Sequence, residues 1–145
     1  MSEALVKARA AKAASVVLAQ ASAHDRSEAI LAAADAADAR RAHIIAANAC
    51  DMERARANGM PVPLLDRLML DDARIDGIIS GMREVAAQND PIGEVVGGRT
   101  LESGVRLTTI RVPLGVVAMV YEARPNVTAD AICLALRSGT AVVLR

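Results

Sequence analysis

The segment GVVAMVYEARPNVTADAICLALRSGTAVVLR (115–145) decides which fold this sequence predicts. Its first six residues form an apolar run without polar alternation, as in a parallel strand that is buried on both faces. Residues 128–138 have the spacing of a helix, Gly139 supplies its C-terminal stop, and residues 140–145 form a second apolar run. A strand, a helix and a strand in this order predict a right-handed βαβ unit that starts a Rossmann-like, doubly wound parallel sheet.

The bend YEARPN (121–126) joins the first strand to the helix. Ligands of open α/β sheets bind beyond the carboxyl ends of the strands, and the N–H groups of a helix that starts near Thr128 favour an anion there. Pro125 stiffens the bend, and Arg124 can pair with a phosphate or a carboxylate. The amide of Asn126 is a donor of the kind that stabilises an oxyanion, but the same residue also suits a plain turn or helix cap. Spacing alone leaves both interpretations open.

The residues before position 90 have the periodicity of amphipathic helices. The first helix is expected to bury the face formed by Val6, Ala10, Ala13, Val17 and Ala21. Its basic start and apolar middle also fit a signal peptide weakly. Ser15 and Gln20 interrupt that apolar stretch, so a helix of the mature, cytoplasmic protein is the favoured interpretation.

Further helices are expected between positions 25 and 90. Asp25 is expected to cap the second helix, with Glu28 completing a capping box and Asn58-Gly59 ending it. A short helix spans residues 64–70, and Asp71 caps the next one. The core face of that helix is expected to consist of Ile75, Ile78, Ile79, Met82 and Ala86.

Glycine and β-branched residues dominate residues 91–112, which read as two strands joined by the turn LESG (101–104). The chain is therefore expected to have three parts: a helical part (1–90), this strand pair, and the βαβ unit (113–145). A two-stranded parallel sheet with one crossover helix is small for an independent domain. We therefore expect the chain to be the front part of a longer protein.

Composition excludes several classes of function. The formal net charge is +0 and aromatic residues make up 1% of the chain, which argues against nucleic acid and against a base-stacking platform. No apolar run is long enough to span a membrane. Cys50, Cys133 and the two histidines lack the spacing of a metal site or a disulfide framework, so no metal is expected.

Residues 111–145 resemble the signature of gamma-glutamyl phosphate reductases, a family within the aldehyde dehydrogenase superfamily. The stretches NACDMERARANGM (48–60), LLDRLML (64–70) and DPIGEVVGGRTLESGVRL (90–107) match as well. The string YEARPNVTAD (121–130) is the most specific part, because other aldehyde dehydrogenases carry a Pro-Trp-Asn-Phe-Pro type segment there.

This resemblance implies an aldehyde dehydrogenase-like fold and a reaction. The family reduces L-glutamyl 5-phosphate with NADPH to L-glutamate 5-semialdehyde and phosphate, a cytoplasmic step of proline biosynthesis. A cysteine thiolate attacks the acyl phosphate, and a hydride reduces the resulting thioester. Strand pairs like that of residues 91–112 join subunits in the superfamily, so a homo-oligomer is expected.

The resemblance also implies roles for residues of the bend. Asn126 would stabilise the oxyanion, and Arg145 would lie near the adenosine ribose, where it suits a 2′-phosphate. The nicotinamide end of NADP(H) would be lined by Tyr121, Glu122, Ala123, Arg124 and Pro125. The catalytic cysteine of the family lies further downstream, so the 145-residue chain alone is expected to be inactive. Two alternatives remain: a non-catalytic assembly or binding module, and a general NAD-dependent aldehyde dehydrogenase.

Overall fold

The computed structural model of the chain describes residues 2–145. These residues form a mixed α/β fold, as the sequence predicts. In chain order the elements are α1 (Glu3–Leu18), α2 (Ala23–Ala39), α3 (Arg41–Ala57), α4 (Val62–Leu68), α5 (Asp72–Ala87), β1 (Val95–Thr100), β2 (Arg106–Ile110), β3 (Val116–Met119), α6 (Pro125–Arg137) and β4 (Ala141–Leu144). No helix within residues 2–145 is long and apolar enough to cross a membrane.

The strands form two separate pairs. β1 and β2 are antiparallel and are joined by the predicted turn, in which Gly104 has a φ of +83° that favours glycine. β3 and β4 are parallel, with Val116 opposite Ala141, and α6 connects them. The parallel pairing predicted from residues 115–145 is therefore confirmed.

Three helices supply the main core, which places α6 against the helical part of the chain. Side chains of α2, α5 and α6 are buried together: Ile30, Ala34, Ile75, Ile79, Met82, Ala86 and Cys133. The predicted core face of α5 is confirmed, although Ile78 is only partly buried. The predicted cap is confirmed too, because the carboxylate of Asp71 accepts the N–H of Arg74 at 2.8 Å.

The predicted buried face of α1 is wrong. Val17 is 71% exposed and Val6 is 53% exposed, whereas Ser15 is buried and its hydroxyl donates to the carbonyl of Lys12 at 2.8 Å. Alanine occupies six of the sixteen positions of this helix, on several of its sides, so its apolar periodicity is weak. The contact with β4 selects the buried side of α1 instead.

The predicted second helix differs at its start and in its middle. Ser22 is the cap, and its hydroxyl accepts the N–H of Asp25 at 3.1 Å, while the Asp25 carboxylate accepts the N–H of Ser22 at 3.3 Å. The capping box therefore begins three residues earlier than predicted. The helix also breaks at Arg40, which separates α2 from α3. The next residue, Arg41, donates to the carboxylate of Asp38 and to that of Asp76 in α5. The predicted end at Asn58-Gly59 is confirmed.

Strand β3 is not buried on both faces as expected. Val117 is 38% exposed and Met119 is 37% exposed, and Val120, just after the strand, is 80% exposed. Within residues 2–145, β3 pairs with β4 along one edge only, and α1 contacts β4 more extensively than β3. An apolar strand with one neighbour keeps part of its side chains in contact with water.

Candidate functional site

The carboxyl ends of β3 and β4 bring two predicted site residues together. The N–H of Tyr121 donates to the carbonyl of Arg145 at 3.0 Å, and the N–H of Arg145 donates to the carbonyl of Met119 at 3.0 Å. These bonds extend the parallel ladder to the start of the bend. Tyr121 and Arg145 therefore lie side by side at the edge of the sheet where α/β proteins bind ligands.

A side-chain hydrogen bond closes the bend. The hydroxyl groups of Tyr121 and Thr128 lie 2.5 Å apart, so the first and last residues of YEARPNVT are in contact. Between them, Ala123 has a φ of +50°, and it is the one non-glycine residue with a positive φ in the described part of the chain. This conformation costs a residue with a Cβ atom about 1 kcal/mol. The bend is thus a tight, mildly strained turn.

Helix α6 begins at Pro125, three residues before the predicted start at Thr128. Proline suits the first helical position, because its φ is already helical and its missing N–H needs no partner. Arg124 is the residue before the helix and provides no side-chain cap. The first backbone N–H of the helix therefore belongs to Asn126, and the next one, of Val127, donates to the carbonyl of Arg124 at 3.1 Å. Thr128 lies inside the helix, so it is not a cap, and its hydroxyl contacts that of Tyr121.

The Asn126 side chain is exposed in the first turn of α6. Its amide nitrogen donates to the carboxylate of Asp130, one turn later, at 3.4 Å. An amide nitrogen has two N–H donors, so this contact leaves one donor available. The contact also orients the amide. Sequence reasoning did not single out Asp130, although its position four residues after Asn126 on a helix could have indicated the contact.

A cavity of about 270 Å³ lies beside Asn126. Pro125, Asn126 and Asp130 line it from α6, and Arg67, Leu70 and Ile78 are among the residues that line it from α4, α5 and the turn between them. The helical part of the chain and the bend therefore build one concave site. No local pattern in the sequence connects Arg67 with Asn126, so this part of the site was missed.

Buried Asn48 of α3 fixes the backbone of the turn between α4 and α5, which forms one wall of this cavity. Its amide nitrogen donates to the carbonyl of Leu68 at 2.8 Å, and its amide oxygen accepts the N–H of Leu70 at 2.7 Å. Arg74 ties the same turn to α4: it donates to the carboxylate of Asp66 at 2.7 Å and to the carbonyl of Met69 at 3.0 Å. Both residues fix the backbone between α4 and α5.

The other predicted site residues place charge at the sheet edge. Arg124 and Arg145 are exposed cations, and Glu122 is an exposed carboxylate two positions before Arg124. With the backbone N–H groups at the start of α6, the two arginines provide donors that suit phosphate oxygens.

Neither cysteine of the chain has the surroundings of an activated nucleophile. Cys133 is 1% exposed, and burial raises the pKa of its thiol, with the charge of Asp130 adding to the rise. Cys50 is exposed on α3 and does not line the cavity beside Asn126. Within residues 2–145 no group of three or more His, Cys, Asp or Glu side chains is arranged to hold a metal ion.

Comparison with known proteins points to one family. A scan of the sequence against models of protein families finds no match. The gamma-glutamyl phosphate reductase of Thermotoga maritima is 41% identical and superposes with a TM-score of 0.93, covering 99% of this chain and 35% of that chain. The enzyme of Saccharomyces cerevisiae is 32% identical with a TM-score of 0.94, covering 100% of this chain and 37% of that chain. This chain thus spans about a third of these relatives and matches an N-terminal portion.

Proposed function

We propose, on the premise that this chain matches an N-terminal portion of gamma-glutamyl phosphate reductases, that it belongs to an enzyme of the same activity. The enzyme would reduce L-glutamyl 5-phosphate to L-glutamate 5-semialdehyde and phosphate with NADPH, a cytoplasmic step of proline biosynthesis. The observation that carries the proposal is the 41% identity with a TM-score of 0.93 over 99% of the chain. The nucleophilic cysteine would come from outside residues 1–145.

Asn126 is proposed to stabilise negative charge on the reacting carbonyl oxygen. Its amide keeps one N–H donor free, while Asp130 holds the other. Pro125 and the first turn of α6 fix the backbone that carries the amide. A donor held in this way does not have to reorganise when charge develops, which is the requirement for oxyanion stabilisation.

NADP(H) is the proposed cofactor, and it supplies the hydride when bound. Tyr121, Glu122, Ala123, Arg124 and Pro125 would line its nicotinamide end. The exposed guanidinium of Arg145 at the end of β4 would take the 2′-phosphate. The donor set supports this assignment, because two cations and the N–H groups of a helix start surround the carboxyl ends of a parallel strand pair.

The three proposed parts of the chain have different tasks. Residues 1–90 would support the cofactor-binding domain, and residues 113–145 would begin its Rossmann-like sheet. Residues 91–112 would join subunits of a homo-oligomer. In support, the hairpin exposes apolar side chains on β1 and β2, with Val95 63% and Ile110 51% exposed. Exposed apolar surface of this kind favours burial against another chain.

The activity is tested with the intact protein and with the 145-residue chain by itself. The intact protein is expected to oxidise NADPH in the presence of L-glutamyl 5-phosphate, and the 145-residue chain is expected to show no rate above the enzyme-free control. A rate with NADH that equals the rate with NADPH would favour a general aldehyde dehydrogenase. An intact protein that assembles but oxidises neither cofactor would favour the assembly module.

Replacing Arg145 with leucine is expected to weaken binding of NADPH more than binding of NADH. The loss of a charged contact to phosphate costs about 1.5 kcal/mol at an exposed position, which corresponds to roughly tenfold in affinity. Fluorescence titration of the intact protein with each cofactor measures both dissociation constants. The matched control is Arg56→Leu, which removes an exposed arginine of α3 and should change neither constant. An equal loss of affinity for the two cofactors would show that Arg145 does not bind the 2′-phosphate.

A further inference from the structure

The cavity beside Asn126 is lined by one positively and one negatively charged side chain that oxyanion stabilisation does not require. Arg67 lines it from α4 and Asp130 from α6, and Leu70 and Ile78 add apolar surface between them. The walls come from elements that lie far apart in sequence. Their backbones are fixed by the buried Asn48 on one side and by the first turn of α6 on the other.

These two charges are not neutralised by neighbouring side chains. Within residues 2–145 the guanidinium of Arg67 makes no hydrogen bond or ion pair, and Asp130 has no cationic partner. Arg74, which also lines the cavity, differs in this respect, because its guanidinium is bound to the carboxylate of Asp66. The cavity therefore offers one available guanidinium and one available carboxylate next to the proposed oxyanion donor.

The charge pattern matches the far end of the proposed substrate. An L-glutamyl group carries an ammonium and a carboxylate on its α-carbon. Two methylene groups separate the α-carbon from the side-chain carbonyl carbon that reacts. We propose that Arg67 binds the α-carboxylate and Asp130 binds the α-ammonium of the glutamyl substrate, with Leu70 and Ile78 against its methylene groups. This inference rests on the proposed function and names the residues that select an amino acid as its substrate.

Each pairing uses chemistry suited to selection. A guanidinium binds a carboxylate through two parallel hydrogen bonds, which select orientation as well as charge. Asp130 already accepts one N–H of Asn126, and a carboxylate has further acceptor sites for an ammonium group. Asp130 would thus bind both the substrate ammonium and the Asn126 amide, and so fix the position of the substrate relative to the oxyanion donor.

The test uses the intact enzyme in the oxidative direction, with NADP⁺, inorganic phosphate and four aldehydes. In this direction the aldehyde hydrogen leaves as hydride to NADP⁺, a phosphate oxygen bonds to the acyl carbon, and a proton is released. The aldehydes are glutamate 5-semialdehyde, 5-oxopentanoate without the ammonium, 4-aminobutanal without the carboxylate, and butanal without either. The amino aldehydes are quantified as free aldehyde, since each amine adds to its own aldehyde in water.

Arg67→Gln is expected to lower kcat/KM for the two carboxylate-bearing aldehydes about 10- to 100-fold, as for the loss of a charge-assisted hydrogen bond, and to spare the other two. Asp130→Asn keeps an amide oxygen that can accept the N–H of Asn126. It is expected to lower kcat/KM about 10- to 100-fold more for the two ammonium-bearing aldehydes than for 5-oxopentanoate and butanal. Arg56→Gln and Asp51→Asn are matched controls on the exposed surface of α3 and should leave all four aldehydes unchanged.

Three outcomes would overturn the inference. Equal losses with all four aldehydes would mean that the residue acts on the fold or only on Asn126. Unchanged kcat/KM for glutamate 5-semialdehyde in either variant would show that the substituted residue does not bind the substrate. A folded parent enzyme that turns over none of the aldehydes would refute the proposed function, and the inference with it, whereas the first two outcomes leave the function intact.

Discussion

Asn126→Ala is expected to lower kcat of the intact reductase by a factor on the order of 10²–10³, with a much smaller change in KM. This is the usual cost of removing one oxyanion donor. Asn126 lies in the first turn of α6, where Pro125 fixes the backbone and Asp130 holds one of the two amide hydrogens at 3.4 Å. The other donor is proposed to stabilise charge that develops only in the transition state, so its loss is expected to affect turnover more than substrate binding.

The competing interpretation of Asn126 predicts a different pattern. A residue that serves only the turn or the helix start would cost about 1 kcal/mol of stability and leave turnover near normal. Thermal unfolding of the variant therefore has to match that of the parent before kcat is interpreted. Asn89→Ala, which removes an exposed amide outside the site, is the matched control. A well-folded Asn126→Ala enzyme with kcat within about threefold of the parent would identify Asn126 as a turn residue.

Asp90→Asn is expected to lower the free energy of unfolding by about 2 kcal/mol, because it removes the negative charge that the buried guanidinium of Arg26 binds, while the Asp90 side chain itself is 27% exposed. Arg26 is 3% exposed and donates to the Asp90 carboxylate at 2.6 Å. Buried Arg137 lies nearby, where it donates to Ser27 at 2.6 Å and to the carbonyl of Gln88. Without Asp90 two buried guanidinium groups would have no counter-charge. This cluster joins α2 and α6 to the segment that leads into β1.

The same cluster makes stability depend on pH in a defined direction. Burial acts to raise the pKa of Asp90, but the Ile92 N–H and the guanidinium of Arg26 outweigh it, and the pKa is below its usual value. A carboxyl group whose pKa is lowered by folding stabilises the folded protein at pH values above its unfolded-state pKa, which is about 3.9 for aspartate. This contribution is lost as the pH falls through the folded-state pKa. The stability difference between parent and Asp90→Asn is therefore expected to be constant above about pH 5 and to shrink below about pH 4.

Urea unfolding followed by circular dichroism at several pH values measures both effects. Asp51→Asn is the control, since Asp51 forms an exposed ion pair with Arg54 at 3.7 Å, and such pairs contribute less than about 1 kcal/mol. An Asp90→Asn variant as stable as the parent at pH 7 would mean that the buried arginines find other partners. A difference that grew toward low pH would contradict the assignment of the lowered pKa.

Local sequence signals determined the elements whose causes lie close together in the chain. Asp71 caps α5, the side chains Ile75, Ile79, Met82 and Ala86 form its buried face, and Gly104 allows the hairpin turn. In each case the residues that cause the structure are a few positions apart, so a pattern records them. The parallel pairing of β3 and β4 was predictable from the order of strand, helix and strand within residues 115–145.

Tertiary contacts decided what such patterns do not contain. The buried side of α1 depends on its packing against β4, and the break at Arg40 lies beside the ion pairs from Arg41 to Asp38 and Asp76. The cavity that joins Arg67 to Asn126 and the buried pair of Arg26 with Asp90 connect residues some sixty positions apart. Contacts of this kind leave no periodic or neighbouring signal in one sequence, because their energy arises only after the elements have packed.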